Sequence, residues 1–174
     1  KPAIKFIKSL QTWLEVTDNT FGNIGDAISN FSVFKVNTGT TYYPVIFSKS
    51  YSGDGGIAFN LNSTGALLDM WIDGQVSFNN VGSDIRGSQV LLNNINLSGT
   101  NGLKLYIDST LISQQTTSQD LSGTNTLKFA IGRNNQDANY YTDGTIQEII
   151  LFSNDQTSNK TTIETNINTN YTIY

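Results

Sequence analysis

The 174-residue sequence predicts an all-β fold, a two-layer antiparallel sandwich of the jelly-roll kind closed by one short C-terminal helix. Three observations lead there. Fifteen glycines punctuate the chain, and between them lie apolar runs of about five to eight residues, the usual length of a strand. Those runs are not separated by helical stretches of the kind that the crossovers of a parallel sheet require. The tail sets an apolar strand, Thr145 to Phe152, directly before a short polar helix that ends on Tyr171 and Tyr174.

Taken in order, Ala3–Ile7 reads as the opening strand. In Phe31–Val36 the residues alternate, with Phe31, Val33 and Lys35 on one face and Ser32, Phe34 and Val36 on the other. Pro44–Lys49, Ile57–Asn62 and Ala66–Asp73 follow as strands. Thr64-Gly65 and Asp73-Gly74 mark turns beside them, where glycine supplies the positive φ of a tight hairpin. Gln89–Leu97 comes next, then Leu103–Asp108 and Thr110–Gln114, joined by a two-residue loop at Asp108-Ser109. Thr126–Ile131 and Thr145–Ser153 complete the strands. Ser158 is expected to cap the helix, and Ile163 and Ile167, one turn apart, give it a narrow apolar stripe.

No repeat or linker interrupts the chain, so residues 1–174 are expected to form one domain. It begins on Lys1 with strand-like residues, the expectation for a piece processed or excised from a longer chain. Hydrophobic residues make up 37% and charged residues 14%, so solubility rests on abundant Asn, Ser and Thr. A net charge of -4 without a run of Lys or Arg argues against a nucleic-acid partner and against an anionic membrane surface. No stretch of about 18 apolar residues is present, so membrane insertion by a helix is not expected. The chain has no cysteine and no histidine, which removes disulfides, thiolate chemistry, the usual activator of a serine nucleophile and the commonest zinc ligand.

Three stretches resemble the concanavalin A-like lectin/glucanase superfamily in its laminin-G-like branch. They are KPAIKF with WLEV at Trp13–Val16, similar to an opening strand pair; LKLYIDSTLIS, similar to a hairpin; and LKFAIGRNNQDANYYTDGTIQEIILFS with the terminal helix, similar to the closing segment. The sequence departs from the pattern at Asp108-Ser109, where Asn-Gly is commoner, and at Ile7–Leu10, where members often carry an acidic loop. The resemblance implies glycan binding, glycan cleavage, or a spacer and adhesion role, in phage tail or fibre proteins and in secreted bacterial proteins.

Cleavage fits the residues poorly. Glycanases of the superfamily resemble one another in an E-x-D-x-x-E strand motif, and Glu15, Glu148 and Glu164 are the only glutamates here, widely scattered. Asp69-Met-Trp-Ile-Asp73 is the nearest approximation, but carboxylates four residues apart on a strand stand roughly 13 Å apart. A retaining pair needs ~5–5.5 Å. Glu148, on the expected face of Ile146, Ile150 and Phe152, reads as a structural acid paired with Arg133 or a lysine. The chain is therefore expected to catalyse nothing.

Binding features are easier to find. Asp69, Trp71 and Asp73 share a strand face, and an indole flanked by hydroxyl-accepting carboxylates suits a sugar ring; the competing role for Trp71 is core packing. Arg133–Asp143 is a long polar segment whose Asn134, Asn135, Asp137, Tyr140 and Tyr141 offer amides and phenols to a glycan or protein. The bland alternative is a connection in which one tyrosine plugs the end of the sandwich. Tyr42, Tyr43 and Tyr51 form a second aromatic group. The residues themselves require no cofactor. The resemblance adds calcium as the metal to weigh, with Asp54, Asp137 and Asp143 as loop acids that more often simply form turns. The leading expectation is a non-catalytic carbohydrate-binding or adhesion module on a virion surface or an extracellular protein, touching a glycan or a cell-surface receptor. The alternatives are a decoration or assembly domain of a phage fibre or capsid that contacts sibling chains, and a glycan-cleaving enzyme.

Overall fold

The computed structural model describes residues 1–18, 27–40, 42–49, 57–64, 67–72, 75–97, 99–117, 127–135 and 139–174. In chain order the strands are β1 (Ile4–Phe6), β2 (Leu14–Val16), β3 (Ala27–Val36), β4 (Val45–Ser48), β5 (Ile57–Leu61) and β6 (Leu68–Ile72). They continue as β7 (Gln75–Val81), β8 (Gln89–Leu97), β9 (Gly99–Ile107), β10 (Thr110–Thr117), β11 (Phe129–Ile131) and β12 (Gly144–Phe152). A single 3₁₀ turn, Lys8–Leu10, lies between β1 and β2, and helix α1 (Lys160–Tyr171) follows β12. Two antiparallel six-stranded sheets result, ordered β1-β12-β3-β8-β9-β10 and β2-β11-β4-β5-β6-β7. This is the expected sandwich.

The core between the sheets follows the alternation. Phe34 and Val36 of β3, Val90 and Leu92 of β8, and Phe59, Leu61, Met70 and Ile72 of β5 and β6 all point into it. The opposite face of β3 is apolar as well. Phe31 and Val33, with Leu91 of β8, form a second cluster closed by Ile167 of α1 and flanked by Ile163 and Tyr171. A central strand apolar on both faces needs a cover on each. The second sheet covers one and the helix the other.

Some local expectations shift. Asn159, not Ser158, occupies the position before the first helical turn, and its side chain bonds Gln156 (2.8 Å) instead of capping. Strand β3 starts at Ala27 because its polar first turnings, Ser29 and Asn30, are fully buried and paired to β8, which polarity alone conceals. Strand β7 lies outside the expected strands; it is an edge that sends Phe78 into the core and pairs with β6 through two register shifts. In the β9–β10 hairpin Asp108 and Ser109 both take positive φ, 49° and 66°, the pattern of a type I′ turn. Their side chains tie the strained turn down, since Asp108 Oδ1 accepts the Leu91 N–H at 2.9 Å and Ser109 Oγ donates to Glu164 at 2.9 Å. The glycines of the Thr64-Gly65 and Asp73-Gly74 turns lie outside the described residues.

Glu148 is a correction. A bulge between Ile146 and Glu148 inserts one residue into β12, so Ile146 faces the main core while Ile150 and Phe152 face the helix-covered cluster. Arg133 is not its partner, because that guanidinium stacks on Trp13 at 3.8 Å from the ring centroid. Among the described residues, no helix is long and apolar enough to cross a membrane.

Candidate functional site

The outer face of the β4–β5–β6 sheet carries the site. Leu68, Met70 and Ile72 commit one face of β6 to the core, which sends Asp69 and Trp71 outward by alternation. On β5 the same rule turns Ala58 and Asn60 outward. The register sets Ala58 opposite Trp71 and Asn60 opposite Asp69. A methyl group beside an indole leaves a hollow over the sheet, with the indole as one wall.

The other walls come from two connections. Tyr42 and Tyr43, at φ 71° and 49°, form a left-handed pair ahead of β4. Such non-glycine residues cost of order 1–3 kcal/mol each and cluster at functional sites. Backbone bonds hold them there, from the Tyr42 N–H to Ser63 O (2.9 Å) and from the Tyr43 N–H to Asn62 O (3.2 Å). Tyr140 arrives from the β11–β12 connection, whose base is closed by the Asn134 N–H to Tyr140 O bond (2.9 Å) and the Thr142 N–H to Gly132 O bond (2.9 Å). Thr142 Oγ1 also donates to Val45 O, fastening this connection to β4. The three tyrosine rings meet at centroid separations of 5.7 Å (Tyr42–Tyr43), 5.5 Å (Tyr42–Tyr140) and 5.1 Å (Tyr43–Tyr140).

Together they enclose a cleft of about 220 Å³. Trp71, Tyr43 and Tyr140 wall it, Val45 and Ala58 lie at its base, and Asn60 and Asn134 add amides. Beside Asn60, Asp69 is 5% exposed and its Oδ1 accepts the Asn80 N–H at 2.8 Å. Burial pushes the Asp69 carboxyl above its ordinary range, and that N–H bond pulls partly back. An arrangement of half-buried aromatic faces with a few fixed amides binds an amphipathic ring such as a sugar.

The predicted residues divide accordingly. Tyr43, Trp71, Asn134 and Tyr140 converge on the cleft, and Tyr42, 51% exposed, packs behind two of them on the rim with Lys8 Nζ 5.5 Å from its ring centroid. Tyr141 does not join them: it is 4% exposed and pairs with Arg133 across an isolated bridge. Its side chain is buried and does not line the cleft. Asn135 is likewise committed to structure, its Nδ2 donating to Lys49 O (2.6 Å) and Lys128 O (2.5 Å) and its N–H to Ser48 Oγ (3.0 Å). Tyr51, Asp54, Asp73 and Asp137 lie outside the described residues. Sequence reasoning missed Val45, Ala58 and Asn60; the alternation of Ile57, Phe59 and Leu61 was the signal that exposes the last two.

Among the described residues no group of three or more acidic side chains is placed to hold a metal ion. Asp143 contributes its backbone carbonyl to Asn37 and Thr40 instead. No glutamate lines the cleft: Glu15 pairs with Lys128 at 2.8 Å, Glu148 borders the β1–β12 edge, and Glu164 is on the buried face of α1.

A family model described as the concanavalin A-like lectin/glucanases superfamily, of laminin-G type, matches residues 10–160. No curated protein matches the chain. Among solved structures, the NanB sialidase of Streptococcus pneumoniae superposes with a TM-score of 0.69 at 14% identity, covering 92% of this chain and 27% of that one. The present chain thus spans about a quarter of that enzyme. The CBM40 of a Ruminococcus gnavus IT-sialidase, bound to α2,3-sialyllactose, gives 0.65 at 13% identity, covering 92% and 94%. Domain 4 of AbnA, an extracellular GH43 arabinanase of Geobacillus stearothermophilus in complex with arabinotriose, gives 0.58 at 19% identity, covering 86% and 69%. At these identities the likeness is one of fold.

Proposed function

The chain belongs to the concanavalin A-like lectin/glucanases superfamily, and within it we propose that this domain is a non-catalytic module that binds a glycan in the Trp71–Tyr43–Tyr140 cleft. The observation that carries the reading is the convergence of three aromatic side chains from β6, the turn before β4 and the β11–β12 connection on one hollow. Solved relatives of the same fold are described with saccharides bound, arabinotriose in one and sialyllactose in another. The non-catalytic assignment rests on the chain itself, which has no histidine or cysteine and keeps its glutamates away from the hollow. We place the domain outside the cell, on a secreted bacterial protein or a phage virion, where it would attach its bearer to a cell-surface glycan or receptor.

A glycan array tests this directly. Retention of one glycan class by the wild type, lost in Trp71→Ala and Tyr140→Ala variants that still melt cooperatively, is the expected result. Retention unchanged in both variants, or no retention at all, refutes it.

One observation favours a second reading, an assembly domain that touches a sibling chain. Strands β1 and β2 are edges of their sheets, and between them Ile4 (52% exposed) and Leu14 (43%) border an apolar groove of about 150 Å³. Unprotected edges with apolar side chains invite pairing. If this reading holds, sedimentation at high concentration shows an oligomer that Ile4→Lys with Leu14→Lys dissolves. A monomer at all concentrations excludes it.

A further inference from the structure

Building on the glycan-binding reading above, we infer that the cleft takes an uncharged saccharide and turns away sugars bearing carboxylate or sulfate. A bound sugar acid must have its charge met, because an anion moved against half-buried aromatic rings loses water that only a cation or a cluster of donors replaces. Proteins that recognise carboxylates ordinarily supply the forked donors of arginine, or a lysine. The census of cations here is complete: the chain has ten basic residues, all ten lie among the described residues, and none lines the cleft.

Each of them is placed elsewhere. Arg86 is held by Asp84 (2.7 Å) and by the carbonyls of Thr40 (3.2 Å) and Thr64 (3.0 Å). Arg133 sits over the Trp13 ring, 3.8 Å from its centroid. Lys128 and Lys160 pair with Glu15 and Glu164, at 2.8 and 2.7 Å. Lys49 is fully buried. Lys35 and Lys104 belong to strands of the opposite sheet, Lys5 lies on the edge strand β1, and Lys1 precedes it. Lys8 Nζ stands 5.5 Å from the ring centroid of Tyr42, and neither residue lines the cleft.

The side chain set against the lining within the sheet is an acid. Asp69 is directly opposite Asn60 in the β5–β6 register, and Asn60 is a lining residue. A sugar carboxylate entering beside Asn60 would meet a buried carboxylate and no counter-ion. A neutral ring meets what the cleft does offer, apolar faces for its C–H side and amides for its hydroxyls. The likeness to sialidase and sialyllactose-bound structures, at 13–14% identity, is a likeness of scaffold and carries no cation into this cleft.

Matched glycan pairs decide the matter, each a neutral oligosaccharide and its sialylated or uronic-acid counterpart, scored on an array and then titrated by calorimetry. Neutral members are expected to bind at least tenfold more tightly, with both signals falling in Trp71→Ala. Equal or tighter binding of the acidic members overturns the inference while leaving glycan binding in place. Neutral binding that survives in Trp71→Ala puts the sugar elsewhere and also overturns it. Absence of binding by every pair removes the inference together with the reading beneath it.

Discussion

Tyr43 and Tyr140 stand with ring centroids 5.1 Å apart, one from the turn that enters β4 and the other from the connection between β11 and β12. Neither connection builds the wall alone, and their contact fixes the width of the cleft. Tyr140 and its neighbour Tyr141 make a controlled comparison, since one lines the cleft and the other is 4% exposed. Tyr140→Ala is expected to weaken glycan binding at least tenfold, about 1.4 kcal/mol, with a melting temperature near that of the wild type. Tyr141→Ala leaves a cavity, and is expected to lower stability by roughly 3 kcal/mol. Calorimetric titration and thermal melts of the two variants check both halves.

Asp69 gives the fold a defined response to pH. Burial raises its carboxyl above the ordinary value of 3.8, so in the window between that value and the folded one the native state keeps a proton that the unfolded chain has released. Stability falls as pH rises through that window, and the cost persists at neutral pH. Asp69→Asn is neutral in charge and still offers an oxygen to the Asn80 N–H. The variant is expected to be more stable than the wild type at pH 7, with the gap closing below pH 4 or so as the wild-type carboxyl protonates. Urea titrations at both pH values measure it; a gap of the same size at each removes the assignment.

How far the sequence reveals all this depends on which residues speak for themselves. Strand β8 is found over the same residues, Gln89–Leu97, that its composition indicates, because its neighbours are turn formers and its pattern is continuous. Strand β7 sends Phe78 into the core but carries Asn79 and Asn80 exposed at a sheet edge, so its apolar pattern is too short to stand out. The outward face of β6 was legible from Leu68, Met70 and Ile72, but whether Trp71 met solvent or a second layer was not. The helix settles that point by covering the other sheet instead. The convergence of Tyr43 with Tyr140 is a tertiary event, set by backbone bonds at Asn62, Ser63 and Gly132 that no local pattern announces. A bulge has the same opacity: one extra residue before Glu148 reverses the faces of everything after it.

Helix α1 is fastened by a buried acid. Glu164, 2% exposed, receives Lys160 Nζ at 2.7 Å, Ser109 Oγ at 2.9 Å and Asn93 Nδ2 at 3.1 Å, joining the helix to β8 and to the β9–β10 turn. Removing one member of a buried ion pair costs about 3–5 kcal/mol, since the other is left uncompensated. Glu164→Ala is therefore expected to lower the melting temperature by about 10 °C, at roughly 2–4 °C per kcal/mol for a domain of this size. Glu164→Gln, which keeps an oxygen for Asn93, is expected to fall between. A melt of Glu164→Ala within 2 °C or so of wild type would show that the helix is held by Ile163 and Ile167 alone.

The interior between the sheets contains a second set of amides with the opposite energetic sign. Asn30 faces Asn94 across β3 and β8, and Asn96 faces Ile28 one step further along. All three asparagines are fully buried, and they alternate with Phe34, Val90 and Leu92 on the face turned toward the core. Among the described residues, both amide atoms of Asn94 and of Asn96, and the nitrogen of Asn30, meet no hydrogen-bonding group. A buried amide without a partner costs about 1–3 kcal/mol, whereas an apolar side chain of the same shape costs nothing of that kind. Leucine is close to asparagine in shape. Asn94→Leu is thus expected to raise the melting temperature by a few degrees, about 2–4 °C per kcal/mol gained, with cooperativity unchanged. Asn93→Leu supplies the contrast, because Asn93 points the other way and donates to Glu164, so that variant is expected to melt earlier than wild type. A lower melting temperature in Asn94→Leu would mean that its amide is answered inside the sandwich by an ordered water molecule worth keeping.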